Sequence, residues 1–314
     1  MKPLIFAFSV VFACGGLSAQ TPTWQPSPGH TQVAIWPGVV PDAVPVAGPE
    51  VFADGTDRDF LVAGRPVAGV GKVSRPTMTV YSPEGKNTGV AVVVFPGGGY
   101  WALAIDLEGT EVCDWLTSKG ITCVLLKYRV PGEGLFPKSG PYPKSPMALE
   151  DAQRTLGLVR FHAAEWKIDP HKIGVLGFSA GGHLVAAMST HFKKRLYPAV
   201  DAADNESCRP DFAVAIYPGH MLENTSQEFE LNPYVPVIRE TPPTFILQAE
   251  DDPVDPVQNS LVYYAALKKA GAPVEMHLYA HGGHAFGLRR TKLPVTAWPQ
   301  LVETWLGTIG IIPE

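Results

Sequence analysis

From Thr77 onward the sequence alternates between short apolar runs and amphipathic segments of about ten to twenty residues. Runs such as 89–95 and 212–217 contain no charged residue, which is typical of strands that are covered on both faces of a sheet. The alternation predicts repeated βαβ units, and therefore an α/β fold with a mostly parallel central sheet flanked by helices on both faces. The 31 Gly and 31 Pro residues separate the segments without repeating at a fixed period, which excludes coiled-coil and collagen-like chains.

The predicted elements follow the spacing of the apolar residues. Continuous or alternating apolar runs predict strands at residues 77–81, 89–95, 121–128, 172–177, 212–217, 244–248 and 274–279. Amphipathic segments with start and stop signals predict helices at residues 107–119, 145–163, 183–192, 257–269 and 297–309.

Two regions depart from this pattern. Residues 20–74 are rich in Pro, Gly, Ala and Val without a sustained period, and they are predicted to form an N-terminal Pro-rich arm lying on the domain. Residues 75–314 make up the predicted α/β domain. Within it, residues 218–243 are polar and Pro-rich, which favours a loop or cap insertion above the sheet.

The amino-terminal residues have the pattern of a secretory signal peptide. Met1 and Lys2 precede an apolar stretch of about ten residues, and small residues follow up to Ala19. This predicts a signal peptide over residues 1–19 and a secreted or periplasmic protein, with lipoprotein anchoring at Cys14 as the alternative. The stretch is about half as long as a membrane-spanning helix, and no later apolar run reaches that length, so no integral membrane span is expected.

Charge and short motifs exclude other classes of partner. The formal net charge is −5 and no block of Lys or Arg occurs, which argues against nucleic acid as a partner. Neither Cys-x-x-Cys nor His-Glu-x-x-His occurs, so no metal site and no cofactor are predicted. Cys113, Cys123 and Cys208 form an odd set, and buried thiols are favoured over a disulfide framework. The oligomeric state is left open.

The most specific local signal is the sequence Gly-Phe-Ser-Ala-Gly at residues 177–181. It follows a predicted strand and precedes a predicted helix, as the G-x-S-x-G turn requires. The flanking glycines remove side chains that would collide with the neighbouring backbone, and the turn presents its serine above the sheet. Ser179 is therefore the predicted nucleophile.

A serine nucleophile needs a base, and two histidines follow the last predicted strand. His284 comes after Gly282 and Gly283, whose free backbone allows an imidazole to approach another loop. His284 is therefore favoured as the base. His281 is the alternative, interpreted otherwise as a solvent-exposed or loop-stabilising residue.

The acid that orients this base is expected at the end of the preceding strand, where several carboxylates cluster. Asp251 is favoured because it lies three residues before Val254, which is expected to pack beneath the sheet edge. Asp252 remains an open alternative. Glu250 and Asp255 are interpreted as solvated or capping residues.

Attack on an acyl carbon also requires backbone N–H groups for the oxyanion. A glycine run at residues 97–99 directly follows a predicted apolar strand. The N–H groups of Gly98 and Gly99, together with that of Ala180 after the nucleophile, are the predicted donors. A phosphate-binding loop is not favoured, because no Gly-Lys-Ser/Thr follows the glycines.

These motifs, at residues 96–100, 177–182, 251–254 and 282–286, resemble the secreted acetyl-esterase and lipase-like branch of the α/β-hydrolases. Bacterial acetylxylan and feruloyl esterase-like members are the most similar in pattern. The resemblance covers roughly residues 77–310. The chain departs from related lipases at Pro96, where those proteins often carry a histidine.

The resemblance implies an α/β-hydrolase fold, with residues 75–314 as the catalytic domain of a serine ester hydrolase. It implies a triad of Ser179, His284 and Asp251, and an oxyanion hole formed by Gly98, Gly99 and Ala180. It also implies that the enzyme removes acetyl or other small acyl groups from xylan or oligosaccharides. A general short-chain carboxylesterase is the alternative.

Two functions other than ester hydrolysis are also considered, and a different sequence feature argues against each. A serine peptidase of the prolyl-oligopeptidase type is disfavoured, because we expect no room for the large additional domain of such enzymes. A non-catalytic binding protein is expected to have lost part of the nucleophile, base or oxyanion set, and all three are present.

Substrate contacts are predicted beside the glycine run and the histidine loop. Tyr100 and Trp101 are candidate sugar-stacking residues, with packing of the loop as the alternative. Arg289, Arg290 and Lys292 are interpreted as a solvated surface, with contact to a uronic acid as the alternative.

Overall fold

The fold is built around one eight-stranded sheet. The structure is a computed structural model that describes residues 23–56, 60–130, 146–222 and 229–313. The strands of the sheet are β1 (Gln32–Ala34), β2 (Thr77–Tyr81), β3 (Ala91–Phe95), β4 (Thr122–Lys127), β5 (Ile173–Phe178), β6 (Ala213–Ile216), β7 (Thr244–Ala249) and β8 (Val274–Tyr279).

The strand order is β1-β2-β4-β3-β5-β6-β7-β8. All pairings from β4 to β8 are parallel, whereas β1 and β2 join the edge in antiparallel orientation. Every residue of β3, β4, β5, β6 and β7 is buried, which means that both faces of the central sheet are covered. The predicted α/β fold with a mostly parallel sheet is thus confirmed.

Helices connect the parallel strands and begin close to the predicted residues. They are α1 (Glu111–Ser118), α2 (Pro146–Phe161), α3 (Ala180–Thr190), α4 (Gln258–Ala270) and α5 (Trp298–Thr308). Two starts differ from the predictions. A π-helical turn, Asp106–Thr110, precedes α1, and α3 begins directly after Ser179 rather than at His183.

The described residues before Val73 extend the sheet through β1. Trp24, Ile35 and Trp36 belong to the main hydrophobic core. The indole N–H of Trp36 donates to Asp151 of α2 at 2.8 Å. Additional short strands form two small sheets beside the main one, at Val51–Ala53, Leu61–Val62, Arg65–Pro66, Gly69–Gly71 and Ala102–Leu103.

The prediction for the cysteines was wrong for one pair. Cys113 of α1 and Cys123 of β4 form a disulfide, and both residues are fully buried. Cys208 is a free, buried thiol, as predicted. The pair was missed because only the packing of α1 against the sheet brings the two sulfur atoms together.

Within the described ranges, no helix is long and apolar enough to cross a bilayer. The predicted signal peptide, residues 1–19, lies outside the described residues.

Candidate active site

Ser179 occupies a strained turn between β5 and α3. Its backbone has φ 52° and ψ −120°, a conformation that non-glycine residues rarely adopt. Close packing leaves little choice at the flanking glycines. A Cβ on Gly177 would lie 2.2 Å from the carbonyl oxygen of Gly181, and a Cβ on Gly181 would lie 2.0 Å from that of Phe95. The turn therefore holds the serine side chain at the carboxyl edge of the sheet.

His284 connects this serine to a carboxylate. Its Nε2 lies 3.1 Å from Oγ of Ser179, and its Nδ1 lies 2.7 Å from Oδ2 of Asp252. The Asp252 side chain is completely buried, and 13% of the His284 side chain is exposed. Since an ionised carboxylate only accepts hydrogen bonds, Nδ1 carries a hydrogen and the Nε2 of the neutral ring is left to accept the serine proton.

The predicted partner of His284, Asp251, must be corrected to Asp252. Oδ1 of Asp251 accepts the N–H groups of Gly282 and Gly283, both at 2.8 Å, and its Oδ2 lies 3.2 Å from Nδ1 of His281. Asp251 therefore fixes the backbone of the histidine loop. His281 has a side chain that is 76% exposed and does not reach the nucleophile.

The choice between the two aspartates follows from the turn after β7. Oδ1 of Asp252 accepts the backbone N–H of Val254 at 2.9 Å and that of Asp255 at 3.0 Å. These bonds direct the other carboxylate oxygen of Asp252 toward His284. Val254 is 62% exposed, so the assumption that it packs beneath the sheet edge was wrong.

The electrostatic surroundings favour a charged imidazole. Burial by itself disfavours the charged form of His284, but the hydrogen bond and charge of Asp252, and then the charges of Asp255 and Glu108, raise its pKa above the usual 6.5. A developing imidazolium is therefore stabilised where acid–base chemistry on Ser179 would require it.

Asp255 was interpreted as a solvated or capping residue, and the structure contradicts this. The residue is 8% exposed. Its Oδ2 accepts the hydroxyl of Ser179 at 3.2 Å and lies 3.9 Å from Nε2 of His284. Burial raises the pKa of Asp255 to about 6, although the charge of His284 acts in the opposite direction.

The glycine loop after β3 lies directly against the nucleophile. A Cβ on Gly97 would be 2.9 Å from Cβ of Ser179. Gly98 and Gly99 have φ values of 131° and 63°, which glycine adopts more readily than other residues. In the described part of the chain, no group accepts the N–H of Gly98, Gly99 or Ala180. These are the predicted oxyanion donors, and their assignment to that role is a proposal.

Glu108 holds the glycine loop through a hydrogen bond to its backbone. This residue was not identified from the sequence. Its Oε2 accepts the N–H of Gly97 at 2.7 Å, and its Oε1 accepts the hydroxyl of Tyr217 at 2.8 Å. Burial raises the pKa of Glu108, and the Tyr217 hydrogen bond and the charge of His284 oppose this. Its sequence signal is weak, because a glutamate at the start of a predicted helix is also expected from the helix dipole.

The two aromatic candidates for sugar stacking differ in position. Tyr100 is 2% exposed, and its hydroxyl lies 2.9 Å from Nδ1 of His183. A buried ring cannot serve as a stacking platform, so the alternative of loop packing applies to Tyr100. Trp101 is half-buried and remains a candidate for stacking on a sugar ring.

His220 lies near Tyr100. Burial, followed by the charge of His284, lowers the pKa of His220 to about 4.

Arg289 is not part of a solvated surface, and it is not available to a uronic acid. Its side chain is 2% exposed, and its guanidinium pairs with Glu111 at 2.8 Å and with Asp106 at 3.0 Å. It also donates to the carbonyl groups of Arg65 and Pro66 in the arm. Through these hydrogen bonds and ion pairs, Arg289 links the segment after His284 to the arm, to the π-helical turn before α1 and to the first residue of α1.

Comparison with known proteins identifies related families. The model of the prolyl oligopeptidase family matches residues 150–306, and a family model described as BD-FAE matches residues 78–218. A solved acetyl ester-xyloside bifunctional hydrolase from Caldicellulosiruptor lactoaceticus is 33% identical, with a TM-score of 0.66. The match covers 90% of this chain and 97% of that one.

The chain belongs to the α/β hydrolases. An acetylxylan esterase from Xylanibacter ruminicola is 31% identical to this hydrolase over 232 residues, which cover 67% of this chain and 43% of the relative. Endo-1,4-beta-xylanase B from Butyrivibrio fibrisolvens is 30% identical over 215 residues, which cover 62% and 32%. The hydrolase therefore spans less than half the length of these two curated relatives.

Proposed function

We propose that this hydrolase is a serine esterase that removes acetyl groups from xylan or xylo-oligosaccharides. The observation that carries the proposal is the contact chain from Ser179 through His284 to Asp252, set beside the glycine loop. The names of the relatives, an acetylxylan esterase and an acetyl ester-xyloside hydrolase, support xylan as the polymer.

The mechanism follows from the contacts of each side chain. His284 accepts the proton of Ser179 as Oγ attacks the ester carbonyl carbon. Asp252 holds the imidazole by Nδ1 and stabilises its cationic form. The N–H groups of Ala180, Gly98 and Gly99 receive the oxyanion.

The imidazolium then protonates the departing sugar oxygen. In the second half of the cycle, His284 activates a water molecule that releases acetate from Ser179. Loss of one of these N–H donors is expected to lower kcat by about 10² to 10³-fold.

Hydrolysis by the wild type and by Ser179→Ala tests the proposal. We expect Ser179→Ala to lower kcat on p-nitrophenyl acetate by at least about 10⁴-fold and to abolish labelling by a fluorophosphonate. Ser118→Ala, at an exposed serine of α1, is the matched control and should retain full activity. Undiminished turnover by Ser179→Ala would exclude a serine mechanism.

Acetate release separates the two esterase alternatives. An acetylxylan esterase releases acetate from acetylated xylan at a rate comparable with that from p-nitrophenyl acetate. A general short-chain carboxylesterase hydrolyses only the small ester.

The match to the prolyl oligopeptidase family makes a serine peptidase the second candidate. A p-nitroanilide peptide and p-nitrophenyl acetate offered to the same preparation distinguish them. Amide turnover exceeding ester turnover would favour the peptidase.

We infer that the protein is exported. The inference rests on the signal-like pattern of residues 1–19 and on the disulfide between Cys113 and Cys123, because such bonds persist in oxidising compartments. Alkylation of the denatured, unreduced protein from the culture medium or periplasm tests it. Cys208 should react at once, and Cys113 and Cys123 only after reduction. Retention of the unprocessed chain in the cytoplasm would contradict export.

A further inference from the structure

The hydroxyl of Ser179 lies between two acceptors. Its Oγ is 3.1 Å from Nε2 of His284 and 3.2 Å from Oδ2 of Asp255. A serine hydroxyl carries one hydrogen, so it donates to only one of them at a time. Attack on an ester requires the histidine alone. The position of the second acceptor, Asp255, is therefore not explained by the attack step.

Asp255 is held in this position by its surroundings. Its backbone N–H donates to Asp252 at 3.0 Å, and its carbonyl oxygen accepts the side-chain amide of Gln248. The neighbouring Gly219 leaves room for the carboxylate, since a Cβ there would lie 2.5 Å from Oδ1 of Asp255. The carboxylate is therefore fixed against the nucleophile rather than turned toward solvent.

The charges around His284 are arranged on both sides of the ring. Among the described residues, Asp252 faces Nδ1, Asp255 lies 3.9 Å from Nε2, and Glu108 adds a third carboxyl group. Two further titratable side chains lie near the ring, His220 and Tyr217. Burial keeps His220 uncharged by lowering its pKa to about 4, and burial raises the pKa of the Tyr217 hydroxyl.

These contacts give the protonated histidine a complete hydrogen-bond chain. When His284 is an imidazolium, its Nε2–H donates to Oγ of Ser179, and the serine hydrogen is directed to Asp255. When His284 is neutral, Nε2 and Asp255 compete for that hydrogen. Asp255 therefore stabilises the charged ring relative to the neutral one, by direct charge and through the serine hydroxyl.

We propose that Asp255 is a further catalytic residue, which accepts a hydrogen bond from the Ser179 hydroxyl while His284 is protonated and whose charge stabilises the imidazolium formed during acyl transfer. The proposal rests on the proposed serine-esterase function. In acylation the serine proton moves to Nε2 of His284 and then to the leaving oxygen. Asp255 takes up no proton in this cycle and acts through its negative charge.

Two variants test the role of the charge. Asp255→Asn keeps the size of the side chain, and Asp255→Val removes the polar contacts of the side chain at a similar volume while the backbone contacts remain. Glu250→Gln is the matched control, because it removes a negative charge from an exposed residue of the same turn. The titration of the His284 ring, followed by NMR and assigned with His284→Gln, requires no substrate.

We expect both Asp255 variants to shift the His284 titration, and the acid limb of kcat/KM on p-nitrophenyl acetate, to lower pH by about half a unit to one unit. The plateau of kcat should fall by about tenfold, because the imidazolium loses a charged partner. Glu250→Gln should leave all of these values unchanged. A His284 midpoint in both Asp255 variants that equals the wild-type midpoint would overturn the proposal, whatever happens to the plateau.

The NMR readout separates this inference from the proposed function. If the wild type hydrolyses no ester and reacts with no fluorophosphonate, the serine-esterase function fails, and with it the catalytic role. If the wild type is active and the midpoint does not move, only the role of Asp255 fails.

Discussion

Asp252 accepts a hydrogen bond from Nδ1 of His284 at 2.7 Å, although Asp251 precedes it in the same turn. The carboxylate of Asp252 is completely buried, whereas that of Asp251 is 43% exposed. Asp251 bonds the backbone of the histidine loop instead. Two adjacent carboxylates thus have separate tasks: Asp252 orients the ring, and Asp251 shapes the loop that carries it.

Substitution of the two aspartates should have unequal effects. We expect Asp252→Asn to lower kcat on p-nitrophenyl acetate by about 10³ to 10⁴-fold, because the ring loses the acceptor that fixes its tautomer. Asp251→Asn should reduce kcat by less than about tenfold and act mainly on the stability of the loop. Steady-state kinetics and thermal unfolding of both variants measure the difference. Equal losses of kcat would contradict the division of tasks.

The pH dependence of activity should reflect the raised pKa of His284. The ring must be neutral to accept the serine proton, and its pKa lies above 6.5 because the carboxylates outweigh burial. The value of kcat/KM should therefore decrease as the pH falls through a midpoint above 6.5. Profiles recorded at constant ionic strength provide the check. A midpoint below 6.5 would show that burial dominates the surrounding charges.

Glu108 is expected to position the oxyanion loop through the N–H of Gly97. Glu108→Leu removes both acceptor oxygens, and we expect kcat to fall by about 10²-fold with a smaller change in KM. Glu108→Gln keeps one acceptor oxygen and should recover most of that loss.

Asp114→Asn, at an exposed acidic residue of α1, is the control for Glu108 and should behave as the wild type. If Glu108→Gln is as inactive as Glu108→Leu, the negative charge rather than the acceptor matters.

The turn around the nucleophile should not tolerate a methyl group at Gly181. A Cβ there would lie 2.0 Å from the carbonyl oxygen of Phe95, which is part of the backbone and cannot turn away. We expect Gly181→Ala to destabilise the fold by about 3 kcal/mol or more and to abolish activity. Gly38→Ala is the control, since nothing lies within 4 Å of its Cβ position. Chemical denaturation of both variants compares them. A stable, active Gly181→Ala protein would contradict this close contact between Gly181 and Phe95.

Much of the sheet could be predicted because its strands carry a strong local signal. The runs at 77–81 and 274–279 match β2 and β8 to the residue, and the other predicted strands differ from β3 to β7 only at their ends. The start of α3 was harder to predict. Its first turn contains Gly181 and Gly182, which read locally as a loop but allow close contact with β3 and the segment after β6.

The residues that were predicted incorrectly, or missed, share a physical reason. Asp255, Glu108 and Arg289 are polar side chains whose expected place, from local pattern alone, is the solvent or a helix end. Each is buried because elements distant in the chain meet around it. The same holds for Cys113 and Cys123, which are joined only because α1 packs beside β4.

The sequence by itself determined the mostly parallel sheet, the nucleophile turn at Ser179 and the loop that holds His284, because apolar periodicity and glycine spacing act over a few neighbouring residues. Only the tertiary structure decided which carboxylates surround the histidine. Asp252 at Nδ1 and Asp255 beside Nε2 come from the turn after β7, whereas Glu108, which accepts the N–H of Gly97, comes from the π-helical turn before α1. Hydrogen-bond direction and burial, which no local pattern encodes, assign each of them its partner.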